Sequence, residues 1–244
     1  MSLSTFHLPK HDTWYLRKYK HPLHHEQNEF KLCIANSDKD TLAIDIGANC
    51  GVWTHKLSKY FNQVKAYEPL KDIFDVLSKN VTADNAQLYC SAVGSQVSQV
   101  YMSSLKNNTG GSFVIRSEIG LKKLLNEIKH NPAKLDKVNH PELVYQTTID
   151  NEVQDERVGF IKIDVEGYEL EVLKGAKQTI QNSKPVLMVE ISEYTHHKVW
   201  GYDQDLKGHI NNIKSLLYDV GYEHMGQIGR NFFFSTKRLK HAIE

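Results

Sequence analysis

The feature that most restricts the fold is a short apolar run that passes directly into a glycine-rich turn, Asp45-Ile46-Gly47-Ala48-Asn49-Cys50-Gly51. The pattern predicts a buried strand over Leu42–Ile46 before the turn and a helix up to Tyr60 after it. Small residues at such a turn let the backbone approach a ligand closely while amide N–H groups point outward. The turn therefore predicts a site for a nucleotide-like ligand. The competing interpretation is a tight turn with purely structural glycines.

Short apolar runs and helix-like segments alternate along the chain from Thr41 onward. Such alternation indicates βαβ units and a mostly parallel sheet, and the close spacing of the last two runs predicts one antiparallel strand. Trp53, inside the first helix, is expected to pack in the core and not to stack on a ligand. We predict further strands at 64–68, 87–90, 160–163, 186–189, 222–225 and 231–234, and helices over 69–80 and 205–220.

The distribution of polar and apolar residues divides the chain into two parts. Residues 1–40 form a polar, histidine-rich N-terminal extension, and residues 41–244 form one α/β domain. At 244 residues the chain can bury one sizeable core. An insertion over about 95–148 breaks the alternation, with turn-forming residues at 107–111 and a lysine-rich helical stretch at 121–129. Insertions of this kind usually carry specificity.

The composition restricts the partners and the compartment. Thirty basic against 29 acidic residues leave a formal net charge of +1, so we expect no broad cationic surface and no nucleic-acid partner. The apolar runs are too short for a membrane span, and the N-terminus carries no apolar signal core. Cys33, Cys50 and Cys90 lack C-x-x-C spacing, which disfavours a disulfide framework and a structural zinc site. We expect a cytoplasmic protein, of an oligomeric state that the sequence leaves undefined.

The residues in and after the glycine turn discriminate among nucleotide ligands. Asn49 and Val52 replace the second and third glycines of the dinucleotide pattern G-x-G-x-x-G, which weakens a pyrophosphate site. Asp45 would attract a cationic ligand such as S-adenosylmethionine and repel a diphosphate. Glu68 ends the second strand 21 residues after Gly47, where a carboxylate can accept hydrogen bonds from both hydroxyls of a ribose.

Acidic residues also follow two later strands of the domain. Asp164 and Glu166 follow one predicted strand, and Glu190 follows the next. Open α/β sheets bind ligands at the carboxyl ends of their strands, and strand alternation places Lys162 on the same side as Asp164. We predict Asp164 as the first candidate for a catalytic base, with Glu190 and Lys162 as its catalytic neighbours.

The same carboxylates allow two other interpretations. Asp164, Glu166 and Glu190 together could hold a divalent ion, because oxygen ligands suit magnesium or manganese, although a metal is not part of the main prediction. Alternatively, Asp164 or Glu166 could cap the helix that follows them. Glu169 and Glu171 are expected on a solvated face of that helix.

Thirteen histidines invite a search for metal or proton-transfer sites. His21, His24 and His25 are expected on the surface, because only a helix or a loop could make such closely spaced side chains converge. His196, with its neighbour His197, follows the fifth strand in a predicted loop near the acidic residues. His196 is therefore a candidate for substrate contact or proton transfer.

Five segments together carry a family resemblance: the glycine turn 45–51, Tyr67-Glu68-Pro69, Ala92-Val93-Gly94, Thr148-Ile149-Asp150 and, most specifically, 161–176. They resemble the FkbM family of methyltransferases, over about 41–190. The resemblance implies a class I methyltransferase fold, Rossmann-like with seven strands, S-adenosylmethionine as cofactor, and O-methylation of sugars or secondary metabolites. By position, the resemblance implies that the methionine part of the cofactor contacts Asp45, Gly47, Asn49 and Gly51, with Ala48 in the same turn. It implies that Glu68 contacts the ribose and that Ser91 and Ala92 contact the adenine.

The sequence therefore predicts an S-adenosylmethionine-dependent methyltransferase that acts on a hydroxyl of a small molecule or glycan. Three alternatives stay open: an NAD-dependent oxidoreductase, a nucleic-acid methyltransferase, and a non-catalytic binding module that keeps the fold. The first would need the phosphate-binding glycines that Asn49 and Val52 interrupt. The second would be expected to show an Asn/Asp-Pro-Pro-aromatic motif where residues 164–167 stand.

Overall fold

The computed structural model describes residues 6–10, 12, 17, 21–131, 137–192 and 205–240. The strands of this part are β1 (Leu42–Ile46), β2 (Gln63–Tyr67), β3 (Ala86–Tyr89), β4 (Ala92–Val93), β5 (Ser98–Leu105), β6 (Asn108–Ile115), β7 (Glu142–Thr147), β8 (Val158–Ile163), β9 (Val186–Glu190), β10 (Glu223–Ile228) and β11 (Asn231–Ser235). Its α-helices are α1 (Gln27–Asn36), α2 (Val52–Leu57), α3 (Lys71–Asn80), α4 (Glu118–His130), α5 (Ile149–Val153), α6 (Glu169–Lys174), α7 (Lys177–Ser183) and α8 (Leu206–Tyr218). None of these helices is long and apolar enough to span a membrane.

The main sheet has seven strands in the order β10-β11-β9-β8-β1-β2-β3. Within the described residues, β11 is the one strand of this sheet that runs antiparallel, to both β9 and β10, while the other pairs are parallel. The predicted α/β fold, a seven-stranded mostly parallel sheet with one antiparallel strand near the C-terminus, is confirmed. The strand order reverses between β1 and β8, and the carboxyl ends at such a switch point form a crevice where open sheets bind ligands.

The central strands are buried on both faces, since helices cover both sides of the sheet. Ile44 and Ile161 point to one core cluster, whereas Ala43 and Phe160 point to the other. Trp53 is 4% exposed and stacks on Phe160, with ring centroids 6.0 Å apart. The expectation that Trp53 packs in the core is therefore confirmed.

A second sheet, in the order β4-β7-β5-β6, occupies the region where the alternation breaks. Its hairpin turns at residues 106 and 107, because Leu105 already pairs with Asn108 across it. Residues 108–111, expected in a turn, lie instead inside β6, so this part of the prediction is wrong. Helix α4 covers the predicted lysine-rich stretch and begins after Ser117, whose hydroxyl accepts a hydrogen bond from the Gly120 N–H at 3.0 Å.

The described residues of the N-terminal extension contact both sheets. The His7 N–H donates to Asn80 Oδ1 at the end of α3, and Asn80 Nδ2 donates back to the His7 carbonyl, both at 2.8 Å. Asp12 Oδ2 accepts hydrogen bonds from the N–H and the hydroxyl of Thr109 in β6, at 3.1 and 2.5 Å. Helix α1 packs on the main sheet through Phe30 and Cys33. Cys33, Cys50 and Cys90 are all free thiols.

Candidate active site

A cavity of about 310 Å³ lies over the carboxyl ends of β1, β2, β8 and β9. The glycine turn and the residue after β2 form one end of it, and the acidic residues after β8 and β9 form the other. Because the strands of both ends belong to one parallel sheet, their carboxyl ends meet at one edge. The predicted site residues that line it are Gly47, Ala48, Asn49, Glu68, Ser91, Ala92, Lys162, Asp164, Glu166 and Glu190.

Gly47 joins the two ends of the cavity through the backbone. Its φ is +77°, in the left-handed region that favours glycine, and a Cβ added there would lie 1.8 Å from the Asp164 carbonyl oxygen. The Asp164 N–H donates to the Ile46 carbonyl at 3.0 Å, so the turns after β1 and β8 are in direct contact. Only glycine permits this approach.

Asn49 and Gly51 complete the turn with positive φ angles of 49° and 88°. The Asn49 N–H donates to Glu68 Oε2 at 3.0 Å, which ties the turn to the end of β2. A Cβ on Gly51 would lie 2.7 Å from Leu77 Cδ1 and 2.9 Å from Val81 Cγ2. Gly51 therefore serves the packing of α3 and does not line the cavity.

Asp45, predicted to face the cofactor, lies behind the turn and is fully buried. Its Oδ2 accepts a hydrogen bond from the Thr54 hydroxyl at 2.7 Å, and its Oδ1 lies 3.7 Å from Lys162 Nζ. Burial raises the pKa of Asp45, against the opposing effect of Lys162. Any effect of Asp45 on a ligand therefore passes through Lys162 and Thr54.

Glu68 reaches the cavity from the end of β2 and is 4% exposed. Its Oε1 accepts from the Leu70 N–H and its Oε2 from the Asn49 N–H, both at 3.0 Å. Burial raises the pKa of this carboxyl to about 7, although the two N–H donors favour the charged form. Each carboxylate oxygen can accept a further hydrogen bond, so the group is able to bind a diol.

Asp164, Glu166 and Glu190 converge at the other end of the cavity, where one carboxylate oxygen from each residue lies within 4.8 Å of the other two. Two cations contact this cluster: Lys162 Nζ lies 3.1 Å from Asp164 Oδ2, and Arg230 lies 2.9 Å from Glu190 Oε1. Burial, followed by the charge of Asp164, raises the pKa of Glu190 to about 8 and also raises that of Glu166. The three residues have the ligand chemistry of a divalent-ion site. Lys162 and Arg230 already neutralise part of the negative charge of this cluster.

The buried side chain of Lys162 lies between the carboxylates of Asp45 in β1 and Asp164 after β8. It is 3% exposed and contacts both Asp45 and Asp164. Burial alone would lower the pKa of its ammonium group, yet these two carboxylates raise it above the usual range. Lys162 is therefore held charged and fixes the Asp164 side chain.

Glu169 is not on a solvated helix face, and that prediction is wrong. It is 1% exposed, its Oε1 accepts from the Gly167 N–H at 2.7 Å, and its Oε2 lies 2.9 Å from His209 Nε2. Glu169 thereby bonds an amide just before α6, and the side chain of Tyr168, the N-cap residue of that helix, makes no capping hydrogen bond. Glu169 stabilises the turn that carries Asp164 and Glu166 through its hydrogen bond from the Gly167 N–H. Glu171 is half-buried and pairs with Lys174.

The expectation of surface positions for the N-terminal histidines is wrong for His25. Its side chain is 13% exposed and lines the cavity together with Glu26, while His24 is exposed as expected. Arg230, between β10 and β11, is a third lining residue that the sequence pattern did not reveal. No spacing signal marks these residues, because each reaches the cavity only through tertiary packing. The candidates His196 and His197 lie outside the described residues.

The strand order, with a cavity at the carboxyl ends where that order reverses, defines a Rossmann-like α/β fold. A profile described as Methyltransferase FkbM domain matches residues 45–223. The chain belongs to the FkbM methyltransferase family, which confirms the resemblance drawn from its motifs and removes the support for an NAD-dependent oxidoreductase.

Individual relatives are more distant. The chain is 27% identical to methyltransferase sdnD of Sordaria araneosa, over 78% of this chain and 76% of that one. It is 29% identical to the hexuronic acid methyltransferase AglP of Haloferax volcanii, over 67% and 61%. A solved methyltransferase FkbM from Methylobacillus flagellatus superposes with a TM-score of 0.46 at 18% identity, over 80% of this chain and 43% of that one. The chain thus spans less than two thirds of AglP and less than half of the solved chain.

Proposed function

We propose that this methyltransferase transfers a methyl group from S-adenosylmethionine to a hydroxyl of a neutral small molecule or sugar. The observation that carries the proposal is the single cavity that joins the Gly47 turn and Glu68 to the acidic cluster of Asp164, Glu166 and Glu190. At one end, the glycine turn and Glu68 can bind a nucleoside with two ribose hydroxyls. At the other end, the acidic cluster can orient and deprotonate the hydroxyl of an acceptor.

The described residues fit the cofactor. The glycine turn lines the cavity through Gly47, Ala48 and Asn49, so a ligand in the cavity can contact this turn closely. The assignment of Glu68 to the ribose hydroxyls is supported by its position in the cavity wall, to which Ser91 and Ala92 also belong. The wall holds five carboxylates, Glu26, Glu68, Asp164, Glu166 and Glu190, against Lys162 and Arg230. This excess of acidic groups suits a ligand with a sulfonium and an ammonium.

When bound, S-adenosylmethionine supplies a methyl group on a positively charged sulfur, so that the main catalytic demands are positioning and removal of the acceptor proton. Of the predicted bases, Asp164 is held by Lys162, whereas Glu190 has a pKa of about 8. A group that titrates near the working pH is the more effective proton acceptor. We therefore assign proton removal to Glu190 and acceptor positioning to Asp164, which Lys162 fixes.

The charge of the cavity narrows the class of acceptor. Glu190 must be ionised to accept a proton, and in that state a carboxylate or phosphate brought next to Asp164 and Glu190 would be repelled. The acceptor of AglP, by its name a hexuronic acid, is acidic, so the likeness supports a sugar but the cavity favours a neutral one. The same repulsion opposes a nucleic-acid acceptor.

Calorimetry with S-adenosylmethionine, S-adenosylhomocysteine and NAD tests the cofactor assignment. We expect both adenosyl ligands to bind and NAD not to bind. Glu68→Ala should weaken S-adenosylhomocysteine binding roughly 10- to 100-fold, since it removes charge-assisted hydrogen bonds to the ribose. Undiminished affinity in Glu68→Ala would remove Glu68 from the site, and tight NAD binding would overturn the proposal.

Mass spectrometry on a panel of methyl glycosides, neutral and uronic, tests the acceptor class. Methylation of neutral members in preference to uronic ones is expected, and the reverse preference would contradict the charge argument. Parallel reactions with magnesium and with EDTA test the alternative in which Asp164, Glu166 and Glu190 hold a divalent ion. Activity that survives EDTA would exclude a metal-dependent step.

A further inference from the structure

His25 and Glu26 belong to the N-terminal extension, outside the matched family domain of residues 45–223. Both side chains nevertheless line the catalytic cavity, and they are only 13% and 11% exposed. They come between the 3₁₀ turn Pro22–His24 and helix α1. The chain thus brings two polar side chains into the site from a segment that the family match does not include.

Glu26 is fixed in place by two neighbours from distant parts of the sequence. Its Oε2 accepts a hydrogen bond from Trp53 Nε1 at 2.6 Å, and its Oε1 accepts one from Asn231 Nδ2 at 2.7 Å. The backbone of Glu26 is left-handed, with φ +50°, and its side chain does not cap α1. A non-glycine residue in that conformation persists only where its surroundings hold it. The side-chain bonds across the site are what hold Glu26.

His25 is positioned by Glu26 and by Lys56. Its Nδ1 lies 3.2 Å from Glu26 Oε2, and its carbonyl accepts a hydrogen bond from Lys56 Nζ at 2.7 Å. A carboxylate this close attracts the imidazole ring when the ring is protonated. The His25 ring therefore lies in the cavity wall beside Glu26, on a stretch of backbone that Lys56 holds.

The position of this pair assigns it to the acceptor end. Glu68 and Ser91 follow β2 and β3, on one side of β1, and carry the cofactor end. Asn231, which anchors Glu26, begins β11 opposite Glu190 of β9, on the other side. Glu26 and Glu190 line the same cavity, and the charge of Glu26 contributes to the raised pKa of Glu190.

We propose that His25 contacts the methyl acceptor and that Glu26 is the positioning residue that orients it, so that the N-terminal extension completes the acceptor side of the active site. The inference rests on the proposed function. The ligand class is a molecule with a second hydroxyl near the one that is methylated, to which the His25 ring hydrogen-bonds. No group is transferred to His25 in this role.

Nuclear magnetic resonance of the histidine rings of the full chain gives a readout that needs no turnover. The ring signals of His25 are assigned by their loss in His25→Ala, and a neutral methyl glycoside is then added to the chain saturated with S-adenosylhomocysteine. We expect the His25 signals to shift and those of the exposed neighbour His24 to stay. In Glu26→Gln, the indole N–H signal of Trp53 should move, because its hydrogen-bonded carboxylate is replaced.

Steady-state kinetics on the neutral methyl glycosides complete the test, with His24→Ala as the matched control. His25→Ala should raise the acceptor KM roughly tenfold, as expected for the loss of one hydrogen bond, with kcat and the affinity for S-adenosylhomocysteine within threefold. Glu26→Gln should reproduce part of this effect. Unmoved His25 signals on addition of the glycoside, or an unchanged acceptor KM, would overturn the inference. Failure of the wild-type chain to bind S-adenosylhomocysteine would instead overturn the proposed function, and the inference with it.

Discussion

Replacement of Gly47 by alanine perturbs the contact between the two turns of the site in a way that can be worked out from the structure. The added Cβ would lie 1.8 Å from the Asp164 carbonyl oxygen, so the two turns must part by about 1.5 Å to reach ordinary van der Waals contact. They cannot part freely, because the Asp164 N–H donates to the Ile46 carbonyl at 3.0 Å and β1 pairs with β8.

Two effects add in this variant. Alanine at φ +77° costs roughly 1–2 kcal/mol, because the left-handed region is unfavourable for residues with a Cβ. The forced displacement of packed backbone costs about 1–3 kcal/mol more. We therefore expect Gly47→Ala to lower the free energy of unfolding by roughly 2–5 kcal/mol and to weaken S-adenosylhomocysteine binding.

Gly221 provides the matched control, since its φ is +84° and an added Cβ meets nothing within 4 Å. Gly221→Ala should lose only the conformational part, roughly 1–2 kcal/mol, and keep its affinity for S-adenosylhomocysteine. Urea unfolding followed by circular dichroism measures the stabilities, and calorimetry measures the affinities. Equal losses of stability in the two variants, with wild-type affinity in Gly47→Ala, would refute the claim that Gly47 is needed for the contact with Asp164.

Three further predictions follow from the charges of the site. Lys162→Met should lower the free energy of unfolding by about 3–5 kcal/mol, because it leaves Asp45 buried without its cation; urea unfolding at pH 7 checks this, and an unchanged stability would mean that Asp45 is neutral in the wild type. Binding of S-adenosylmethionine at pH 7 should release protons, because its positive charge lowers the pKa of Glu68 from about 7 and of Glu190 from about 8, whereas S-adenosylhomocysteine should release fewer. Calorimetry in two buffers of different ionisation enthalpy measures this, and net proton uptake would contradict it. The methyl-transfer rate should rise with pH through about 8 as Glu190 ionises, and Glu190→Gln should remove that rise; a mutant that kept the same profile would exclude Glu190 as the proton acceptor.

The central strands were predictable because their burial on both faces leaves a local signature. Runs such as Leu42–Ile46 are short, apolar and bounded by turn residues, and the strand that the structure contains begins and ends where the pattern does. The antiparallel strand was also predictable from a local signal, because two apolar runs joined by a short loop usually pair as antiparallel neighbours. The prediction of a turn at residues 108–111 was wrong, because two glycines and an asparagine inside β6 have the composition of a turn.

The contacts of Asp45 show what local pattern cannot supply. Asp45 lies opposite Lys162 because β1 pairs with β8, and that pairing joins residues more than a hundred positions apart in the sequence. Helix periodicity likewise gave Glu169 an outward position, since its partner His209 comes 40 residues later. Glu26 depends on Trp53 and on Asn231, which is 205 residues away. In each case the side chain is placed by a contact between elements far apart in the sequence, which a local pattern does not contain.

Buried acidic residues separate the functional part of this molecule from its structural part. Both Glu169 and Glu190 are buried carboxyls at the same edge of the sheet, but both oxygens of Glu169 are engaged, by the Gly167 N–H and by His209. Glu68, Glu166 and Glu190 instead line a shared cavity, and burial raises the pKa of each, in Glu68 despite the N–H groups of Leu70 and Asn49 that bond its two oxygens. Burial of carboxyls that are incompletely compensated lowers stability, so their concentration in one cavity is explained if a cationic ligand restores the balance there. The same reasoning leaves Glu169 as a support for the turn and points to the cavity as the place where the methyl group is transferred.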